Sequence, residues 1–378
     1  MAGPVAVVGS GIVGSAIAWQ LQALGAPTIL VDDPEPRGAS YFSFASLTAM
    51  DEPLSEVYAL KCLGMSHWRR WQKELGGDIG VRWDGEIRWA ESSEGAAALR
   101  EKVKRAKGRG YPVENISAPE LIRRLPHSRP GPVLAASFAA DDGQANARKA
   151  IARLRAAFEE AGGRLENGRA RLRFDGDGVV VRIGSRELEA SRVVIAGGAE
   201  TMSLLHKLGW EVPMDPSPGL LVLTEPMDPV LTGTAYVTPA EGLPIHLRQQ
   251  HDDRVLIGER SQDHVAKNPN IGHAEELLRQ AKRFFPILRN ARVSEFTVEW
   301  RPMPRDGMPI IGPLPGFSSV YVATGHSGVT IAPAVAALLG PELLEDRASE
   351  QMEPFRPGRF ADREAFVASE VESAFNLG

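Results

Sequence analysis

Thiols are nearly missing from this chain. Cys62 is the only cysteine in 378 residues. That excludes an internal disulfide framework, a CxxC redox pair and a cysteine-held iron–sulfur cluster. No apolar run approaches the ~20 residues needed to span a bilayer. The apolar N-terminal stretch has no basic flank, so it does not read as a signal peptide, and with so few cysteines the expected compartment is the cytoplasm. Long basic runs are missing too, and the formal net charge of −5 argues against nucleic acid as a partner. There is no internal repeat, no low-complexity tract and no expected metal site. What remains is ordinary globular composition, 43% apolar and 24% charged, in a chain long enough for two domains.

The first 33 residues organise the rest. Val5-Ala6-Val7-Val8 suits a buried parallel strand. Gly9-Ser10-Gly11-Ile12-Val13-Gly14 follows directly, Ser15 to Leu21 reads as a helix, and Thr28 to Val31 as a second strand ending on Asp32, with Asp33 beside it. Gly9 allows a tight turn, Gly11 lets backbone approach a pyrophosphate, and Gly14 lets the helix pack closely on the strand. The helix N-terminus offers free N–H groups and the positive end of its dipole to phosphates. An acid about 20 residues after the turn accepts bonds from an adenosine ribose. A lone GxGxxG is weak evidence, but in this strand–turn–helix–strand–acid context it specifies a dinucleotide site.

Next comes Ala39-Ser40-Tyr41-Phe42-Ser43-Phe44-Ala45-Ser46, whose small and hydroxyl residues permit close approach to phosphate and ring. Leu54 to Leu75 has helical periodicity, and its Trp68 and Trp71 read as core. Val81 to Trp89 reads as a hairpin turning at Asp84-Gly85. Gly95 to Arg109 is a charged surface helix, and Ser117 to Glu120 has capping-box spacing. Pro126 to Pro132 is a proline-rich connector suited to a domain crossing. Asn146 to Ala161 is an amphipathic helix, followed by strands at Ala170 to Phe174, Val179 to Ile183 and Arg192 to Ala196. The last of these runs into a second small-residue turn at Gly197-Gly198. Four segments between Gly219 and Gly258 alternate with turn residues and predict an antiparallel sheet, with a helix at His273 to Phe285 and a strand at Ala291 to Arg301.

The end of the chain distinguishes nicotinamide from flavin. Tyr321 to Thr324 is a strand, Gly325-His326-Ser327-Gly328 a turn, and Val329-Thr330 opens a long helix. This second helix N-terminus, some 300 residues after the first, suits the negative charge at N1 and O2 of a reduced isoalloxazine. A nicotinamide enzyme has no use for it.

Four stretches carry a family resemblance: GSGIVGSAIAWQLQALG, VVIAGGAET, EWRPMPRDGMPIIGPLPG and VYVATGHSGVTIAP. Together they resemble the glycine oxidase, sarcosine oxidase and D-amino-acid oxidase superfamily of flavoenzymes, in the right order over nearly the whole chain. The resemblance implies an α/β fold with a discontinuous Rossmann-like FAD-binding domain and a substrate domain whose mixed, largely antiparallel sheet covers the flavin. The corresponding division is 1–82, 136–215 and 301–378 for the first domain, and 83–135 and 216–300 for the second. It implies FAD, oxidation of an amine C–N bond by hydride transfer and imine hydrolysis. No cysteine lies near the flavin motifs, so the FAD is expected to be non-covalent, and O2 is the expected acceptor. The expected FAD contacts are Gly9 to Gly14, Asp32, Asp33, Ala39, Ser40, Ser43 to Ser46, Ala170, Gly197, Gly198, Arg301 and Gly325 to Thr330.

The resemblance also places Arg301 where such enzymes carry the arginine that grips a substrate carboxylate, through the two parallel bonds that only a planar guanidinium makes. Its alternative is an ion pair with Glu299 or Asp306. His246 lies where glycine oxidases place a substrate-facing tyrosine, and Tyr236, one strand earlier, competes for that role. The chain also departs from the family. Ala39 to Ser46 lacks an arginine, the Gly325–Gly328 turn is short and brings no second arginine, and Val255 to Gly258 lacks the oxygen-activating lysine. The missing second arginine puts glycine itself in doubt, and an N-substituted glycine is the expected substrate. The alternatives are a D-amino-acid dehydrogenase, a flavin subunit passing electrons to another acceptor, and a nicotinamide-dependent dehydrogenase.

Overall fold

The computed structural model describes residues 3–33, 38–175, 178–207, 209–215, 217–259, 270–345 and 347–360. Most of the turn expected at Pro34 to Gly38, and the chain after Phe360, lie outside them.

The chain opens with β1 (Val5–Val8), α1 (Ile12–Ala23), β2 (Thr28–Asp32), β3 (Ser46–Leu47) and α2 (Ser55–Glu74). There follow β4 (Val81–Arg82), β5 (Glu86–Ala90), α3 (Ser93–Gly108), β6 (Val113–Asn115), α4 (Ala118–Arg124), β7 (Ala135–Ala139) and β8 (Gly143–Ala145). The middle holds α5 (Ala147–Glu160), β9 (Arg164–Asn167), β10 (Ala170–Asp175), β11 (Gly178–Ile183), β12 (Arg186–Leu188), β13 (Arg192–Ile195) and α6 (Thr201–His206). The second half adds β14 (Ser217–Thr224), β15 (Thr234–Thr238), β16 (Ile245–Gln249), β17 (Val255–Glu259), α7 (Ile271–Phe284) and β18 (Val293–Arg301). It closes with β19 (Ile310–Leu314), β20 (Phe317–Thr324) and α8 (Gly328–Glu345).

Two large sheets divide the work. A six-stranded sheet runs β19-β20-β13-β1-β2-β9. Its pairs are parallel except for the antiparallel edge β19–β20. Parallel strands are covered on both faces, and here Val5 and Val7 face one apolar cluster while Ala6 and Val8 face another. An eight-stranded sheet runs β18-β14-β17-β16-β15-β5-β7-β6, antiparallel except where β15 lies parallel to β5. Antiparallel β10-β11-β12 and the small β3-β8-β4 sheet complete the described strands.

The helices follow the sequence closely. Trp68 and Trp71 of α2 are fully buried. Ser117 caps α4 by accepting from the Glu120 N–H, and Asn146 caps α5 by accepting from the Lys149 N–H. Helix α1 starts at Ile12, three residues before the expected Ser15, because Gly11 serves as its N-cap. Helix α8 is long and apolar enough to cross a membrane by length and composition. It packs instead against α1 and α2, with Ile331, Ala332, Val335, Ala336 and Leu339 buried in the same apolar cluster.

The expected hairpin at Asp84-Gly85 does not form. Strand β4 pairs with β8, whereas β5 pairs with β7 and β15, so the chain leaves one sheet and enters another at Gly85. Gly85 makes this crossing at φ +81, donating to the Asp142 carbonyl at 3.0 Å and accepting from the Thr234 N–H at 3.1 Å. Local alternation cannot reveal that a strand's partner lies about fifty residues away. Nor does the proline content of 302–315 prevent a strand: β19 runs through Pro313 at the sheet edge, where a proline removes no ladder bond.

Candidate active site

At the end of β1 the chain turns through Gly9 at φ +104 and presents the free N–H groups of the first turn of α1. Ser40, from the small-residue segment, stands over this turn and accepts from the Ile12 N–H at 3.2 Å. A Cβ added at Gly11 would come within 3.0 Å of the Ser40 hydroxyl. A side chain there would fill the cleft that a phosphate needs. Ser10 donates to the Asp32 carboxylate, and Arg155 of α5 pairs with the same carboxylate while donating to the Ser10 hydroxyl at 2.6 Å. The Gly168 N–H donates to the Asp32 carbonyl at 2.6 Å, which brings the start of β10, with Ala170, to the same end of the sheet.

Asp32 is thus oriented by two donors. Asp32→Ala should leave the fold intact, since the residue sits at a strand end, and should lower flavin retention during dialysis. Full flavin occupancy in that variant would move the adenosine elsewhere. Arg155 was not legible in the sequence, because nothing in an amphipathic helix marks which arginine reaches a strand far upstream.

The second half of the site lies where the 39–46 segment meets the terminal turn. Ala45 sits at φ +52, with its N–H donating to the Ser43 hydroxyl at 3.0 Å. Thr330 donates to the Ser46 carbonyl at 3.0 Å, Trp68 to the Val329 carbonyl at 2.8 Å, and Thr324 to the Gly198 carbonyl at 2.9 Å. Residues from four separate parts of the chain therefore converge on the N-terminus of α8. His326 lies at the tip of the turn, its Nδ1 3.0 Å from the Ser327 hydroxyl. Its ring is open to solvent yet deep among protein atoms, as expected of a group lining a cleft. Burial and the nearby charges of Lys61 and Arg301 push its pKa down to about 4, so the imidazole is neutral at pH 7.

The eight-stranded sheet supplies the opposite wall. One register row crosses it through Arg88, Tyr236, His246, Gly258, Leu221 and Thr297. Phe44 stands over this row with its ring centroid 4.1 Å from that of His246 and 6.0 Å from that of Tyr236. Both candidate substrate residues therefore meet the small-residue segment of residues 39–46. The Arg88 guanidinium lies 4.3 Å from the Tyr236 ring centroid and is paired with Glu86 at 2.6 Å and Asp51 at 3.0 Å. Burial works against its charge, but those two carboxylates more than offset this and keep it protonated. Burial and the Glu86 charge push the Tyr236 phenol up, so it acts as a neutral hydroxyl.

Arg301 ends β18, where its Nη2 donates to the Ser217 hydroxyl at 2.7 Å and to the Pro218 carbonyl at 3.0 Å. Asp306, one of its expected ion-pair partners, is instead paired with Arg359 at 2.7 Å. Arg301 lies close enough to the terminal turn for its charge to depress His326.

Residues 4–340 match the family model described as DAO, FAD dependent oxidoreductase. The chain belongs to this family. Cofactor dependence is thereby decided for flavin over nicotinamide. Among curated relatives, an opine oxidase subunit from Rhizobium meliloti is 26% identical over 373 residues, covering 95% of this chain and 98% of the relative. Glycine oxidase of Bacillus subtilis (strain 168) is 25% identical, covering 91% and 94%. The crystal structure of glycine oxidase from Geobacillus kaustophilus matches with a TM-score of 0.83 at 25% identity, covering 94% of this chain and 98% of that one.

The residues present fit FAD: a bare glycine turn under Ser40, an oriented Asp32, and a second helix N-terminus beside the sheet. Cys62, half-buried on α2, has its thiol pushed up by burial and is a poor nucleophile.

Proposed function

We propose that this FAD-dependent oxidoreductase oxidises the C–N bond of a small amino acid, an N-substituted glycine, with Arg301 as the carboxylate anchor. The observation that carries the reading is the position of Arg301, at the end of β18 and within electrostatic reach of His326 on the terminal turn. Bound FAD supplies a two-electron acceptor for the hydride leaving the substrate carbon. Arg301 fixes the carboxylate through charge-assisted bonds from its guanidinium and so sets the distance of the adjacent C–H from the ring. Tyr236, His246 and Phe44 wall the sheet side of the site and exclude bulk water. His326, with a pKa of about 4, is a poor proton acceptor at neutral pH and serves as an uncharged wall. Water then hydrolyses the imine, and O2 takes the two electrons with two protons to give H2O2. The cofactor is held without a covalent bond.

Anaerobic titration of the yellow protein with sarcosine, N-alkylglycines and D-amino acids tests this. Bleaching of the flavin by N-substituted glycines, with stoichiometric H2O2 on admitting air, is the expected result. No bleaching by any of these amines overturns it. Acid precipitation should release all colour into the supernatant, and colour in the pellet would reveal a covalent link. A second reading, that the chain passes electrons to a partner rather than to O2, is favoured by its likeness to a protein named as one subunit of an oxidase. Bleaching without peroxide would select that reading.

A further inference from the structure

Two arginines are buried in the eight-stranded sheet, and they differ in one respect. Arg88 is neutralised by Glu86 and Asp51. Arg248, on β16 and 2% exposed, has no carboxylate within ion-pair distance among the described residues. Its Nη1 donates to Gln144 Oε1 at 2.9 Å and its Nη2 to the Ala145 carbonyl at 2.9 Å, both neutral acceptors. Its Nε has no acceptor among the described residues, and neither has Nε2 of Gln144, itself 2% exposed. A buried charge without a counter-charge is costly, and two orphaned donors side by side compound the cost. Burial, with the charge of Arg82, pushes the Arg248 pKa down to about 10, which still leaves it charged at pH 7.

Arg248 lines a cavity of about 270 Å³ together with Tyr41, Ser43, Leu221, Leu223 and Leu256. The other cations around this cavity are already matched: Arg148 with Glu295 at 3.5 Å, Arg254 with Asp252 at 2.8 Å, and Lys149 with Asp78. Arg248 alone among them lacks an acid. It stands two residues from His246 on the same strand and therefore on the same face. Phe44 spans the two, 4.1 Å from the His246 ring centroid and 5.5 Å from the Arg248 guanidinium carbon. Leu221, Leu223 and Leu256 form an apolar wall packed on Phe44. Arg301 lies on the other side of the His246 row. The row meets β18 at Thr297, four residues before Arg301, while Arg248 pairs with Leu256 two residues beyond the row.

We propose that Arg248 receives a second carboxylate, carried at the far end of the substrate's N-substituent, so that the preferred substrate is an N-(carboxyalkyl)glycine. Arg301 holds the glycine carboxylate, the methylenes of the substituent lie on the leucine wall, and the distal acid, in the cavity, faces the unmatched guanidinium of Arg248. This assignment rests on the reading of the protein as an oxidase of N-substituted glycines.

The test compares anaerobic flavin reduction by N-(carboxyalkyl)glycines carrying one to four methylenes with reduction by N-alkylglycines of matching length. A distal acid should raise kcat/KM about tenfold to a hundredfold at the best length, as one or two charge-assisted bonds would. Arg248→Met should bring that ratio to about one, and Arg248→Lys should restore part of it. Equal kcat/KM for the two series in the parent protein overturns the proposal without any variant, so the test survives if Arg248→Met fails to fold. An equal loss on both series in Arg248→Met overturns it too. The N-alkylglycines report on the oxidase reading alone. Bleaching by them without a preference for the acids sinks only the second carboxylate, whereas no bleaching by either series sinks both.

Discussion

Arg301→Ala is expected to lower kcat/KM for carboxylate-bearing amines by about a hundredfold or more. Each charge-assisted bond contributes roughly 1.5–3 kcal/mol, and each ~1.4 kcal/mol is tenfold in rate. A charged grip that orients the reacting carbon acts on the transition state as well as on binding, so kcat should fall along with the rise in KM. Arg301→Lys should rescue little, because an ammonium cannot reproduce the planar fork. It also cannot keep the bonds to the Ser217 hydroxyl and Pro218 carbonyl that now aim the guanidinium. The visible flavin spectrum should hardly change. Carboxylate substrates oxidised at the parent rate by Arg301→Ala would place the grip elsewhere on the sheet.

Gly14→Ala should abolish flavin retention, the largest effect expected of any single methyl group in this chain. The added Cβ would collide with the Gly9 carbonyl oxygen and lie 3.3 Å from the Ala196 side chain. Both obstacles are on the floor of the nucleotide site, and a backbone carbonyl cannot move aside as a flexible side chain can. Helix α1 must then lift from β1, taking its N-terminal N–H groups away from the pyrophosphate. Purified variant with less than about a tenth of the parent's flavin after gel filtration is the expected outcome. Gly108→Ala is the control: it ends α3 with nothing within 4 Å of the added carbon, and alanine favours helix by ~0.5–1 kcal/mol. A Gly14→Ala protein as yellow as the parent would show that helix and strand can separate without loss of the site.

Sequence alone determined the features that rest on local rules. The βαβ opening was legible because strand, glycine turn, helix and acid are consecutive, and each has its own composition signal. The late helix N-terminus at Gly328 was legible for the same reason, and so was the choice of flavin. The Ser117 cap, and the buried Trp68 and Trp71, followed from spacing along one helix.

Contacts between distant segments were decided only by the tertiary structure. That Val81–Arg82 and Glu86–Ala90 belong to different sheets depends on β8 and β15, strands far along the chain. Arg155 reaches Asp32 because α5 packs beside α1, a relation that no periodicity encodes. The contrast between Arg88 and Arg248 is the clearest case. Both are arginines on strands of one sheet, and nothing around them in sequence says which has its charge matched. Burial made the charges costly, and the placement of Glu86 and Asp51 beside only one of them left the other to seek its acid from outside the chain.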